Sequence, residues 1–76
     1  MRDLLATLAR GLVEEPHRVS VRERPGGEKT ILELKVAPGD RGRVIGRHGR
    51  TAEALRILLG AVAKRGGKSC ELEILG

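Results

Sequence analysis

The sequence predicts an α+β domain of two layers, with three helices on one face of a three-stranded sheet in the order α-β-β-α-α-β. Three observations carry this. Apolar residues recur at helical spacing in three segments, they alternate at a period of two in three others, and Pro or Gly clusters mark most of the borders.

Leu4, Leu5, Leu8, Ala9, Leu12 and Val13 fall on one helical stripe, so the first helix is expected from residue 2 or 3 to about residue 15, with Asp3 as cap or first-turn acid. Pro16 is expected to stop it, because proline lacks an N–H and restricts the residue before it. Val19 and Val21 alternate with Ser20 and Arg22, giving a strand to about Arg24. Pro25-Gly26-Gly27 is turn chemistry, and Ile31, Leu32, Leu34 and Val36 make the second arm of a hairpin. Leu32, Leu34 and Val36 should face the core, with Glu33 and Lys35 facing away.

Pro38-Gly39 ends that strand, and Asp40 is placed to cap a helix of one to two turns through Ile45. Gly46 ends it. The next helix begins near Arg50 or Thr51, carries Thr51, Ala54, Leu55, Leu58, Leu59 and Val62 on one stripe, and stops at Gly66-Gly67. In the last strand Cys70, Leu72 and Ile74 should face the core and Glu71 and Glu73 the solvent.

With 76 residues there is room for a single domain, 1–76, with one thin core. Cys70 is the sole cysteine, so no disulfide forms within a monomer, and a lone thiol suits a reducing cytosol. No apolar run approaches the roughly 20 residues that span a bilayer, and the amino terminus lacks a signal-peptide pattern, so a cytoplasmic protein is expected, with no membrane partner. There are no aromatic residues, which weighs against RNA readers that stack bases on aromatic platforms.

The formal charge is +5, and its placement is uneven. Between Gly39 and Gly66 stand seven basic residues (Arg41, Arg43, Arg47, Arg50, Arg56, Lys64, Arg65) against two acidic ones (Asp40, Glu53), while the remainder of the chain is balanced. The excess lies in one helix-loop-helix, and a polyanion is its natural partner. An anionic bilayer fits less well, because Arg50 to Arg65 lacks the wide, aromatic-anchored apolar face of an interfacial helix.

Within that segment Gly46-Arg47-His48-Gly49 places two glycines around two basic residues, after Val44-Ile45 and before a long amphipathic helix. Glycine tolerates left-handed backbone and close approach by another molecule's backbone. The helix that follows directs its first amides at the loop, where an anion is favoured. A second Gly-x-x-Gly, Gly39-Asp40-Arg41-Gly42, holds an acid and follows a Pro-Gly turn, so it reads as a strand exit. Gly49-Arg50-Thr51 is superficially like the end of a Walker loop, but Val44 stands where that loop needs glycine, Arg replaces Lys, and a helix comes before it. His17 and His48 stand in no Cys/His/carboxylate cluster of metal-ligand spacing, and Cys70 has no paired base. No catalytic residue, metal ligand or cofactor is expected.

Val44-Ile45-Gly46-x-x-Gly49 between a short helix and a longer one resembles the signature of the KH RNA-binding domain. Asp40-x-Gly42-x-Val44-Ile45-Gly46-x-x-Gly49-Arg50-Thr51-x-x-Ala54-Leu55 resembles the small stand-alone bacterial KH proteins of the KhpA (YlqC) family, and the likeness covers the whole chain. Lys is frequent in that family where Arg47 stands, and Gln where His48 stands. The resemblance implies a type II KH fold with a mixed sheet, and a groove for about four nucleotides of single-stranded RNA between the glycine loop and the second strand. In that groove the amides around Arg47 and His48 hold phosphate, and Arg43, Arg47 and Arg50 supply charge. Gly46 and Gly49 shape the turn, and Val44, Ile45 and Leu34 line an apolar floor. It further implies an RNA chaperone or post-transcriptional regulator that forms a homodimer, or a heterodimer with a larger KH protein of the KhpB (Jag) type. The alternative is an interaction subunit whose RNA contacts come mainly from its partner, served by exposed apolar residues such as Ile57, Ala61 or Leu75.

Overall fold

Helix α1 runs Arg2–Arg10 in the computed structural model, which describes residues 1–75; Gly76, the last residue of the expected domain, lies outside them. The helix is shorter than its apolar stripe. Gly11 closes it, donating its N–H to Thr7 O at 3.3 Å and Leu8 O at 3.2 Å, and Leu12 bonds back to Ala9 O at 3.0 Å. Two amides that a longer helix would use internally, those of Glu14 and Glu15, are taken instead by the side chain of Asp40. Pro16 therefore opens a short 3-10 turn, Pro16–Arg18, and stops nothing.

Strands β1 (Ser20–Gly26), β2 (Lys29–Lys35) and β3 (Ser69–Leu75) form one sheet in that order. β1 and β2 pair antiparallel with Val21 opposite Leu34, and β2 and β3 pair parallel with Leu32 opposite Leu72. The hairpin turns on Gly27 and Glu28, since Gly26 and Lys29 are the last pair. Gly27 has φ 76°, as the first central position of a type II′ turn requires. β1 consequently reaches two residues past Arg24, and Pro25 is tolerated because an edge strand needs ladder bonds on one side only.

A parallel pair needs a crossover, and here it carries α2 (Arg41–Ile45) and α3 (Arg50–Arg65). Leu5, Ala9, Val19, Leu32, Leu34, Val36, Val44, Leu55, Leu59 and Leu72 form the core, with Cys70 and Ile74 packed against it. The elements and their order agree with a type II KH fold. On α3 the buried line is Ala52, Leu55, Leu59 and Ala63, and the expected stripe is displaced. The side carrying two small alanines is turned to the sheet, so Leu58, Val62 and Ala54 remain exposed.

The other face of the sheet is laced with ion pairs. Arg24 Nε lies 3.3 Å from Glu33 Oε2 and its Nη2 3.4 Å from Glu73 Oε1, while Lys29 Nζ lies 2.9 Å from Glu71 Oε1. Each exposed pair adds little stability, about 0–1 kcal/mol, but the cations so engaged are already answered by carboxylates.

Candidate nucleic-acid interface

The glycine loop joins α2 to α3. Its backbone departs from ordinary L-residue geometry at three of four positions: Gly46 (φ 77°, ψ 172°), His48 (φ 58°, ψ 22°) and Gly49 (φ 75°, ψ 11°). Gly46 lies in a region open essentially to glycine alone. The two glycines are constrained differently. A Cβ on Gly46 would stand 2.6 Å from Thr51 Cβ and 2.8 Å from Thr51 N, whereas a Cβ on Gly49 would meet open space.

The turn is held by Gly46 N–H donating to Gly42 O at 2.8 Å and Gly49 N–H to Gly46 O at 3.1 Å. Gly46 stands inside no hydrogen-bonded turn, so the amides of Arg47 and His48 do not close back on the carbonyls of α2. Both residues are exposed, and α3 starts without a side-chain cap. Unpaired amides in a left-handed turn at a helix start form a concavity that favours an anion. Arg47 and Arg50 stand exposed at its rim.

Asp40, expected as the cap of α2, makes no capping bond. It is 3% exposed, and its two oxygens accept the Glu14 amide at 3.1 Å and the Glu15 amide at 3.0 Å. Arg43 Nε lies 3.4 Å from Asp40 Oδ1, and Arg43 Nη2 donates to Glu14 Oε1 at 2.6 Å. The guanidinium is thus committed to two carboxylates. It also sits two residues before Ile45 on a helix, so the two side chains do not share a face. Arg43 is a tie behind the loop and not a third cation beside Arg47 and Arg50.

Two residues expected on the apolar floor are out of reach. Val44 and Leu34 are both 0% exposed, because one faces the sheet from α2 and the other faces the helices from β2. Ile45, half-buried, is the residue of that set which the surface offers. β2, the strand expected beside the glycine loop, is not an edge strand. β2 is the central strand and is bonded on both sides, while β3 is the edge strand beside α3 and α2 and keeps one side of its ladder free. Strand order is a property of the crossover, and alternation within a single strand carries no trace of it.

Ile57 on α3 is 67% exposed and continues into exposed Ala54, Leu58, Ala61 and Val62. Exposure of Ile57, Ala61 and Leu75 is as expected; Leu58 and Val62 join them because α3 is turned. Cys70 is half-buried, and burial, with the Glu23 carboxylate adding to it, pushes its thiol pKa up. Among the described residues no group of His, Cys, Asp and Glu side chains could hold a metal ion, and no helix is long and apolar enough to cross a membrane.

Residues 2–74 match the family model described as KhpA/KhpB, KH domain. The chain belongs to the KhpA/KhpB KH-domain family. Its relatives include the RNA-binding protein KhpA of Clostridium acetobutylicum, 47% identical over 75 residues that cover 99% of this chain and 100% of that one. The RNA-binding protein KhpA of Treponema pallidum is 48% identical over 73 residues, covering 96% and 91%. That of Chlamydia trachomatis is 43% identical over 75 residues, covering 99% and 96%. These KhpA proteins are named as binders, and the family is not one of enzymes. No solved structure matches the chain.

Proposed function

We propose that this protein binds single-stranded RNA at the Gly46–Gly49 loop and serves in the cytoplasm as an RNA chaperone or post-transcriptional regulator. One observation carries the reading. In the segment that holds the chain's excess positive charge, a left-handed turn bares the Arg47 and His48 amides beside the Arg47 and Arg50 side chains. KhpA relatives named for RNA binding match this chain over nearly its whole length and support the same reading.

Phosphates sit on the amides and are neutralised by Arg47 and Arg50, contacts that hold the strand without reading its sequence. Bases turn inward past Ile45, and their edges meet the free side of β3, which has both donors and acceptors unpaired. Sequence preference is modest, since two arginines and backbone groups discriminate poorly.

The test is Arg47→Asp with His48→Asp. Both glycines remain, and Asp tolerates the left-handed backbone of position 48. Both sites are exposed, so stability should change by about 0.5 kcal/mol or less. RNA binding should be lost, because carboxylates stand where phosphate must lie. If the folded variant binds a short unstructured RNA as well as the parent, the loop is not the clamp.

A second reading rests on the exposed apolar face of α3. Contiguous exposed apolar residues mark contact surfaces. We propose that this face pairs two KH domains, either two copies of this chain or one copy and a larger KhpB-type protein, so that two weak grooves act on one RNA through effective concentration. In the extreme case the chain contributes this face and its partner most of the RNA contacts.

A further inference from the structure

We infer that Asp40 is a positioning residue for the glycine loop, acting through a clamp with Glu14 and Arg43 that fixes α2 against the connection between α1 and β1; the inference deepens the RNA-binding reading and rests on it.

α2 has five residues, too few to hold a helical orientation alone, so what surrounds it must aim it. Val44 anchors its middle in the core. Gly46, at its far end, is where the loop begins. At its near end stands Asp40, the buried charged residue among the described ones, and its partners are not on its own helix. It accepts amides of Glu14 and Glu15, at sequence separations of 26 and 25, and Arg43 Nε lies 3.4 Å from it. Arg43 in turn reaches Glu14 Oε1 at 2.6 Å, so Asp40, Arg43 and Glu14 close a triangle spanning two segments of chain.

A buried carboxylate keeps its charge cheaply only where donors meet it, and here two amides and a guanidinium do. The consequence for the loop is geometric. Between Asp40 and Gly46 lies about 9 Å of helix, at about 1.5 Å per residue. Freeing the near end lets α2 pivot on Val44, and the loop amides then leave the arrangement a phosphate needs. RNA would have to restore that order on binding, at a cost in affinity.

The test is one of sign. Asp40 and Glu14 are negative and close to a site for a polyanion, so if their charge were all that mattered, Asp40→Asn and Glu14→Gln would tighten RNA binding. A positioning role predicts the reverse. Asp40→Asn should bind a short unstructured RNA roughly tenfold more weakly, well below its melting temperature, the effect of ordering one or two more side chains on binding. Glu14→Gln, which removes an exposed arm only, should weaken it by about two- to threefold. The dependence on salt should not change, because the same phosphates are neutralised. In the free proteins, the hydrogen-bonded amides of the turn, those of Gly46, Gly49 and Arg50, should exchange with deuterium faster in Asp40→Asn than in the parent. A variant destabilised on the far edge of the sheet, Val21→Ala, should show neither effect.

Unchanged or tighter binding, or loop exchange that matches the parent, overturns the inference. So does an equal loss of affinity in Val21→Ala. Should Asp40→Asn fail to fold, the sign of the Glu14→Gln change decides. Should the parent protein bind no RNA, the RNA-binding reading falls, and loop exchange still reports whether the clamp positions the loop.

Discussion

Thr51 stands over Gly46 so closely that no Cβ fits between them. The first turn of α3 therefore packs on the hinge of the loop, and the glycine is required there twice, by its dihedrals and by its neighbour. At Gly49 only the dihedral matters.

The two glycines should accordingly respond differently to alanine. Gly46→Ala combines a backbone conformation that costs about 1–3 kcal/mol with a clash of similar size. Gly49→Ala should cost about 1–2 kcal/mol, the left-handed penalty alone. Urea unfolding of both variants measures this, and equal losses would show that Thr51 moves aside freely.

Salt dependence should be shallow for a protein of this charge. With Arg43 held by Glu14 and Asp40, Arg47 and Arg50 remain beside the loop, and two to three phosphate contacts give a slope of log K against log salt of about −1.5 to −2. Arg43→Gln should leave the slope in place even if it lowers affinity. A slope that drops by about 0.7 would put Arg43 on a phosphate.

Ile57→Glu should leave the monomer folded, because the side chain is 67% exposed and Glu suits a helix at least as well as Ile. If α3 is the pairing face, sedimentation equilibrium should show the parent associating and the variant not. The same mass for both proteins at every concentration would remove α3 from that role.

Cys70 gives a signature at alkaline pH. Burial and Glu23 raise its thiol pKa, so the folded protein keeps a proton that the unfolded chain gives up. Its contribution to stability is complete below the unfolded thiol's pKa and is lost as pH rises through the folded one. Cys70→Ala should thus lose less stability than the parent between about pH 8 and pH 10. Parallel curves for the two proteins would dismiss the effect.

Much of this architecture is legible locally. Leu32, Leu34 and Val36 alternate inward as their spacing requires, and Gly46 and Gly49 take the dihedrals that make a two-glycine turn informative. The misreadings share a cause, which is partners distant in sequence. Asp40 before a short helix looks like a cap, and nothing nearby reveals that Glu14 and Glu15 will claim it. α1 closes early at Gly11, and the Glu14 and Glu15 amides left outside it are the ones that Asp40 takes. Val44 and Leu34 are apolar and adjacent to the site in sequence or in expectation, yet inward orientation removes them from it. Which strand is the edge follows from the crossover and no local pattern encodes it. α3 has more apolar lines than the sheet can cover, and periodicity alone does not choose among them.

The parallel pairing of β2 with β3 makes the glycine loop the midpoint of a crossover. During synthesis the loop leaves the ribosome well before β3 does, and until β3 pairs, α3 lacks the strand it packs on. Contacts of such long sequence separation form late. A nascent chain halted before Ser69 therefore displays the basic residues of the crossover before the sheet that shapes that segment is complete.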